Sequence, residues 1–182
     1  RCAGAGAHAD GTGSSSSNTD DEAVAMLRAV VCAARHRQVV LVTPEIGEWC
    51  SVGGLGTMVD HFSSALASQS AFQDGHVSVI APAYDCFSSR WASLPALLEL
   101  SVPLGQRAAR CRVRCVVQRR VHLYLLECPT WFATPYPAGD PATRLAPAVL
   151  LARASLLLLE RIVTLRRQPP PDCIISNDWV RT

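Results

Sequence analysis

The sequence predicts an α/β domain built on a mostly parallel sheet with an antiparallel hairpin. Three observations predict it. An apolar run, Val39–Val42, gives way to a loop and then to a glycine cluster, Gly53-Gly54-Leu55-Gly56, that opens a segment of helical periodicity. A second apolar stretch, His76–Ala81, closes a β-α-β unit behind it. Further on, Ala109–Val117 alternates and is joined by a tight connection to Val121–Glu127, the pattern of an antiparallel hairpin edge.

The totals suit one domain with a real core, or one domain and a tail. The chain has 182 residues, 49% of them apolar, which argues against wholesale disorder. A formal net charge of +2 is too small to imply a nucleic-acid binder. All 17 basic residues are Arg. A Schiff-base lysine, a P-loop lysine and a lysine clamp on phosphate are thereby excluded, and such a role falls to Arg. The eight cysteines are widely and irregularly spaced without a CxxC pair. Dispersed thiols, mostly buried, fit better than a disulfide framework or a metal site, and favour a reducing compartment. The most apolar stretch, Leu145 to Val163, is interrupted by Arg153 and Glu160, so no membrane span is expected. Arg1 in place of an initiator Met suggests a piece or a processed product, so a targeting leader is not inferred absent.

Taken in order, residues 1–20 are Gly, Ala, Ser, Thr and Asp in the main and predict a flexible leader. A short helix over 22–34 follows, acidic at its start and basic at its end. Residues 1–37 thus form a leader and helix, and 38–182 the domain. Val39–Thr43 is the first strand. The helix after the glycines covers Gly56–Ser68, with Met58, Val59, Phe62, Ala65 and Leu66 on its buried side. Ser68–Gly75 turns the chain into the strand His76–Ala81, which ends at Pro82. Residues 83–98 are irregular, with Tyr84, Phe87 and Trp91 as aromatic bulk. Glu99–Leu104 is a short strand.

In Ala109–Val117, Cys111, Val113 and Cys115 share one face and Arg110, Arg112 and Arg114 the other. Gln118–Arg120 turns and Val121–Glu127 returns. A proline-rich loop, Pro129 to Pro141, leads to a helix over Ala148–Arg166 whose Leu156–Leu159 run is expected to be buried and which Pro169-Pro170-Pro171 terminates. Cys173–Ser176 is a last buried strand with Asn177-Asp178-Trp179 at its carboxyl end, where open α/β sheets bind ligands.

The glycine cluster is neither the dinucleotide fingerprint nor a Walker A motif. Its glycines shape a turn and let the helix approach the sheet, or Gly54 to Gly56 offer N–H groups and the helix dipole to a diphosphate; both can hold. Glu45 and Glu48 flank the same loop, either as ligands for sugar hydroxyls and acid–base groups or as solvated surface. Asp178 is a site residue or the N-cap of a following helix. His61 and His122 fit structural roles. The arginines between 107 and 120 fit a solvated sheet face better than an acidic or nucleic partner. No Ser–His–Asp arrangement follows from the spacing.

The segments VVLVTPEIGEWCSVGGLGTMVDHFSSALASQ and GHVSVIAPAY, with LLECPTWF and PDCIISNDWVRT after them, resemble the bacterial glycogen synthase and plant starch synthase family in order and interval over residues 38–182. The resemblance implies a Rossmann-like N-terminal domain of a two-domain glycosyltransferase of the GT-B type. It implies transfer of glucose from ADP-glucose, or UDP-glucose in related synthases, to the non-reducing end of an α-glucan with retention of configuration. No cofactor and no metal are implied; the nucleotide sugar is a substrate. Its partners would be the α-glucan acceptor and a C-terminal GT-B domain not contained in these residues, without which the piece alone is expected to be inactive. A plastid location is implied for a starch synthase, and the cytoplasm for a glycogen-type enzyme.

Carried over by motif, Gly53, Gly54 and Gly56 would face the donor phosphates, with Ser51 beside them. Glu45 matches the glutamate after the first strand, Tyr84 the tyrosine closing the second, and Asp178 and Trp179 the DW pair; Glu45 and Asp178 are the catalytic candidates. Four positions depart. Ser51 stands where the family has lysine, Thr57 replaces an acid, Asn177 replaces the common histidine, and Val180 holds the place of another histidine. Losing a cation and a histidine weakens charge stabilisation in such a transfer. A non-catalytic glucan-binding or regulatory homologue of the same fold is therefore the alternative.

Overall fold

Three valines and a leucine, Val39–Val42, form strand β1, and all four are buried. Uniform burial means that both faces are covered, which is why the run shows no alternation. The computed structural model describes residues 38–69, 72, 77–166 and 170–177. The expected leader over 1–20, the helix over 22–34 and residue His76 lie outside the described residues, as do Asp178, Trp179 and Val180.

After β1 come helix α1 (Gly54–Ser68), strand β2 (Val77–Ala83), a 3-10 turn at Asp85–Phe87 and a single helical turn, α2 (Ser88–Trp91). Strands β3 (Ala96–Leu104), β4 (Arg107–Gln118) and β5 (Val121–Glu127) follow, then helix α3 (Pro141–Arg166) and strand β6 (Cys173–Ser176). The described strands form one sheet in the order β3-β4-β5-β2-β1-β6. β1 pairs in parallel with β2 and β6, and β2 pairs in parallel with β5. β3-β4-β5 is an antiparallel meander. The fold is thus the mostly parallel, Rossmann-like α/β arrangement with an antiparallel hairpin.

The hairpin turn is tight because Arg119 and Arg120 both adopt positive φ, 48° and 66°, which matches the twist of the flanking strands. The alternation of β4 is as expected: Ala109, Cys111 and Val113 are buried, whereas Arg107, Arg110 and Arg112 are exposed. Arg114 departs from the solvated face. Its side chain pairs with Glu127 at 2.8 Å, lies over the Trp91 ring at 5.5 Å and donates to the Leu94 carbonyl. The sheet rim is thereby tied to the connection before β3.

Several expectations are corrected. Helix α1 starts two residues earlier and buries Gly56, Val59, Ser63 and Ala67, whereas Met58 and Phe62 are 49% and 42% exposed and Ala65 is exposed. Small residues let the helix lie close to the sheet, so the larger apolar ones stand outside the contact. Strand β2 does not end at Pro82 but runs to Ala83, with Pro82 opposite Leu126 of β5. β1 stops at the level of Ile80, so beyond it no β1 partner competes for the missing proline N–H. Helix α3 begins at Pro141. Asp140 caps it through a 2.7 Å bond from the Thr143 N–H, and that bond holds the Asp140 carboxyl below its ordinary range. Pro147 sits inside this helix and removes one bond to the preceding turn. Of the leucine run only Leu158 is fully buried; Leu156 is 62% exposed. β6 lies at the edge of the sheet formed by the described residues and is not buried there, with Ile174 47% exposed.

The core lies between the helices and the sheet. α1 packs against β2 and β5, and α3 against β1, β2 and β3. Tyr84, Tyr124 and Phe132 are its largest fully buried side chains, with Tyr84 edge-on to Phe132 at 6.2 Å between centroids. Among the described residues no helix is long and apolar enough to cross a membrane.

Candidate functional site at the glycine loop

The loop from Thr43 to Gly53 leaves the carboxyl end of β1 and is pinned at each step. Thr43 N–H donates to the Ile80 carbonyl at 3.0 Å, and the Thr43 hydroxyl donates to the Glu45 carbonyl at 3.0 Å. Ile46 and Cys50 exchange two backbone bonds of 3.1 Å. Gly47 turns the chain at φ 40°, and its N–H donates to the Gly56 carbonyl at 2.9 Å. This folds the loop back onto the first turn of α1.

Glu45 is thereby carried inward and is 1% exposed. One carboxylate oxygen, Oε2, accepts from the backbone N–H of Val52 at 2.9 Å and of Gly53 at 3.0 Å. The other, Oε1, accepts from the Tyr136 hydroxyl. Burial disfavours the charged carboxylate, but the bonds from Tyr136, Val52, Gly53 and Gly56 outweigh it and hold the group below its ordinary value. Glu45 is an ionised carboxylate that plugs the amide end of the glycine loop, so the expectation of a solvated surface residue is corrected. Both of its carboxylate oxygens are engaged by donors of the protein itself.

Ser51 packs beneath the same carboxylate. Its Oγ is 3.5 Å from Glu45 Oε2 and donates to the Gly53 carbonyl at 3.1 Å. Gly56 is required by this neighbour, because a Cβ there would lie 2.4 Å from Ser51 Oγ and 2.6 Å from Ser51 Cβ. At Gly54, by contrast, a Cβ would meet nothing within 4 Å. Gly53 precedes the helix in an extended conformation, φ −153°, without a side-chain cap; the remote Glu45 takes that role. Gly54 and Leu55, the first two helical positions, have N–H groups without partners inside the helix, and they border the open side.

Glu48 is exposed and accepts at 2.9 Å from Gln118 Nε2, while Gln118 Oε1 accepts from Trp49 Nε1 at 2.9 Å. Arg119 pairs with Asp60 of α1 at 3.0 Å. The β4–β5 turn therefore grips both ends of the glycine loop. Tyr84 is fully buried, its phenol pushed far up by that burial, and its carbonyl accepts from Trp91 Nε1 at 3.0 Å. Asn177 N–H donates to the Val42 carbonyl at 2.9 Å, which sets the end of β6 beside the start of the loop. Asp178 lies outside the described residues.

The structure brings together Glu45, Ser51, Gly53, Gly54 and Gly56, and adds Tyr136, Gln118 and Arg119, which the sequence did not single out. Tyr136 holds φ 49° within the proline-rich loop; the flanking Pro135 and Pro137 were the available signal of a stiff, positioned segment. Next to it, a cavity of about 490 Å³ opens between that loop and the start of α3, lined by Trp131, Thr130, Thr134, Pro137, Thr143 and Pro147 among others. No cluster of metal-ligating side chains occurs among the described residues.

Comparison with known proteins places this geometry in a family. The granule-bound starch synthase 1 of Ipomoea batatas is 31% identical over 101 residues, 55% of this chain and 15% of that protein. The chain thus spans under a sixth of that relative. The catalytic domain of starch synthase IV from Arabidopsis thaliana, solved bound to ADP and acarbose, superposes with a TM-score of 0.60 at 21% identity, covering 79% of this chain and 28% of that one; it shares the fold. The family described as the starch synthase catalytic domain matches residues 38–181, the stretch that carries β1, the glycine loop and β6. The chain belongs to the starch synthase catalytic domain family.

Proposed function

We propose that these residues are part of a retaining glucosyltransferase that moves glucose from ADP-glucose or UDP-glucose to the non-reducing end of an α-glucan. The observation that carries the reading is the open first turn of α1 at the carboxyl edge of a parallel sheet, in a chain of this family. Gly54 leaves room for a ligand to approach the backbone, and the unpartnered amides with the helix dipole suit a diphosphate. Glu45 and Tyr136 act from behind, holding the loop in its shape. The neighbouring cavity suits the acceptor. Trp131 offers an apolar face to a pyranose ring, and the threonines offer hydroxyls to its rim.

The relatives' longer chains support a further domain as the source of the remaining donor contacts. A plastid location goes with a starch product, the cytoplasm with a glycogen-like one. The reading is tested on the protein in its longest natural form, by transfer of labelled glucose from ADP-glucose and from UDP-glucose to glycogen. Incorporated label that β-amylase then releases as maltose supports it; no turnover of either donor overturns it.

A second reading, a glucan-binding homologue without catalysis, is favoured by Ser51. The residue in the family's lysine position is a neutral hydroxyl committed to the Gly53 carbonyl, and the chain has no lysine to replace it. Retained glycogen binding without transfer selects this reading.

A further inference from the structure

Cys111 and Cys128 stand 17 positions apart in the sequence and flank the open end of the hairpin. The β4–β5 register pairs Val113 with Leu126 and Arg112 with Glu127, where the ladder ends, and Cys111 and Cys128 are the next residue on either side, Cys128 just past β5. Carried on by one step, that register would bring their Cα atoms to about 4.5–5.5 Å, inside the roughly 4.4–6.8 Å that a disulfide spans. The two thiols lie close enough to perturb each other's ionisation. Both are buried, Cys111 fully and Cys128 nearly so, and neither is in a disulfide. Among the other described cysteines, Cys50 lies in the loop after β1. Cys115, on the same face of β4, is opposite Tyr124, and Cys86 and Cys173 are exposed on other elements.

We propose that Cys111 and Cys128 are a redox-active pair that closes into a cross-strand disulfide by exchange with a low-molecular-weight disulfide, and that closure stiffens the start of the loop that carries Tyr136. Cys128 is the attacking sulfur. It sits just past the end of the strand and keeps 4% of its surface exposed, whereas Cys111 is fully enclosed, so it is the sulfur that a small disulfide meets first; the neighbouring Cys111 thiol also holds it below its ordinary value. The Cys128 thiolate attacks one sulfur of the small disulfide and expels the first thiolate. Cys111 then loses its proton, attacks the Cys128 sulfur of the mixed disulfide and expels the second. Two protein thiols are oxidised, one small disulfide is reduced to two thiols, and no other reactant is needed.

The link to the loop is direct. The Cys128 carbonyl accepts from the N–H of Trp131 at 2.9 Å and of Phe132 at 2.8 Å, so the residue that would be cross-linked is the one that folds the first turn of that loop. Four positions on, Tyr136 reaches Glu45.

The test uses the full chain, reduced, then exposed to oxidised glutathione, blocked with N-ethylmaleimide and cut with trypsin. Arg110 and Arg112 bracket Cys111, and Arg120 and Arg144 bracket Cys128, so the cross-link appears as the Cys111-Arg112 dipeptide bonded to peptide 121–144. Expected are that species, loss of both thiols from alkylation in step, and their return with dithiothreitol. Peptide 121–144 bonded to Cys115 instead, or carrying glutathione while Cys111 is alkylated, overturns the pair. In Cys111→Ser, Cys128 should stop at the glutathione adduct; an equally fast intrachain disulfide in that variant also overturns it. Hydrogen exchange over 129–137 should slow several-fold on oxidation, and unchanged exchange in fully cross-linked chain overturns the coupling to the loop.

Discussion

Tyr136 donates its hydroxyl to Oε1 of Glu45 across 91 positions of sequence, and Glu45 passes the connection on to the amides of Val52 and Gly53. The glycine loop is therefore shaped by a residue of the loop that follows β5. Replacing Glu45 by Ala strands two part-buried amides and a phenol, and should lower stability by about 2 kcal/mol; Tyr136→Phe should lower it by about 1 kcal/mol. Urea unfolding of the two variants and their double should show non-additivity, because both substitutions break the same bond. Additive losses would mean that the two side chains act separately.

The same carboxylate predicts an acid dependence. Its folded value lies below the ordinary 4.5, so its contribution to stability is complete above pH 4.5 and is lost as pH falls through the folded value, the unfolded chain taking up the proton first. Glu45→Gln removes this linkage. Its unfolding free energy should fall less steeply than the parent's below pH 4.5, and parallel curves would assign the acid sensitivity to other groups.

Two loop glycines should respond in opposite ways to alanine. Gly56→Ala drives a methyl into the Ser51 side chain and Cα and should destabilise by about 2 kcal/mol, as overpacking does. Ser51→Gly in the same chain should restore much of that loss. Gly54→Ala enters open space and should be neutral or stabilising by up to about 1 kcal/mol through helix propensity. Under the proposed function it should still weaken nucleotide-sugar binding, which calorimetry with ADP on the longest natural form would read.

Arg120 holds φ 66° at the β4–β5 turn. Its own side chain is exposed, so Arg120→Gly should stabilise by about 1 kcal/mol, the left-handed penalty that glycine avoids. Arg119→Gly should gain less, as it also gives up the 3.0 Å pairing with Asp60. Thermal unfolding of the two variants would show the difference.

Ser155 is a buried helical residue of α3 whose Oγ has no hydrogen-bond partner among the described residues. Ser155→Ala should raise stability by about 1 kcal/mol, since a desolvated hydroxyl is removed with little change of volume. A loss on denaturant unfolding would reveal a partner for the hydroxyl.

What was legible in the sequence was what local pattern encodes. The valine run of β1, the alternation of β4 and the two-residue turn at Arg119 each follow from period and chirality within a few residues. The contact face of α1 was legible only in part: Val59 and Leu66 meet the core as their spacing implies, but Gly56, Ser63 and Ala67 are buried with them, and their small size gives a hydropathy pattern little to mark. Nor was the exposure of Leu156 or Ile174, which depends on where neighbouring elements stop. At the candidate site, the glycines announced themselves by spacing. The burial of Glu45 did not, since a lone glutamate in a loop looks solvated until Tyr136 is brought to it from a distant segment.

β1 has four residues, and its neighbour β2 runs on through Ala83. The sheet rim is therefore notched by about three residues, on the order of 10 Å, and the loop that starts at Thr43 drops into this gap with its first N–H on Ile80. That depth is what lets a loop residue sit as far from water as the core does. The length of one short strand thus decides where the loop's backbone enters the core and which carboxylate its amides meet.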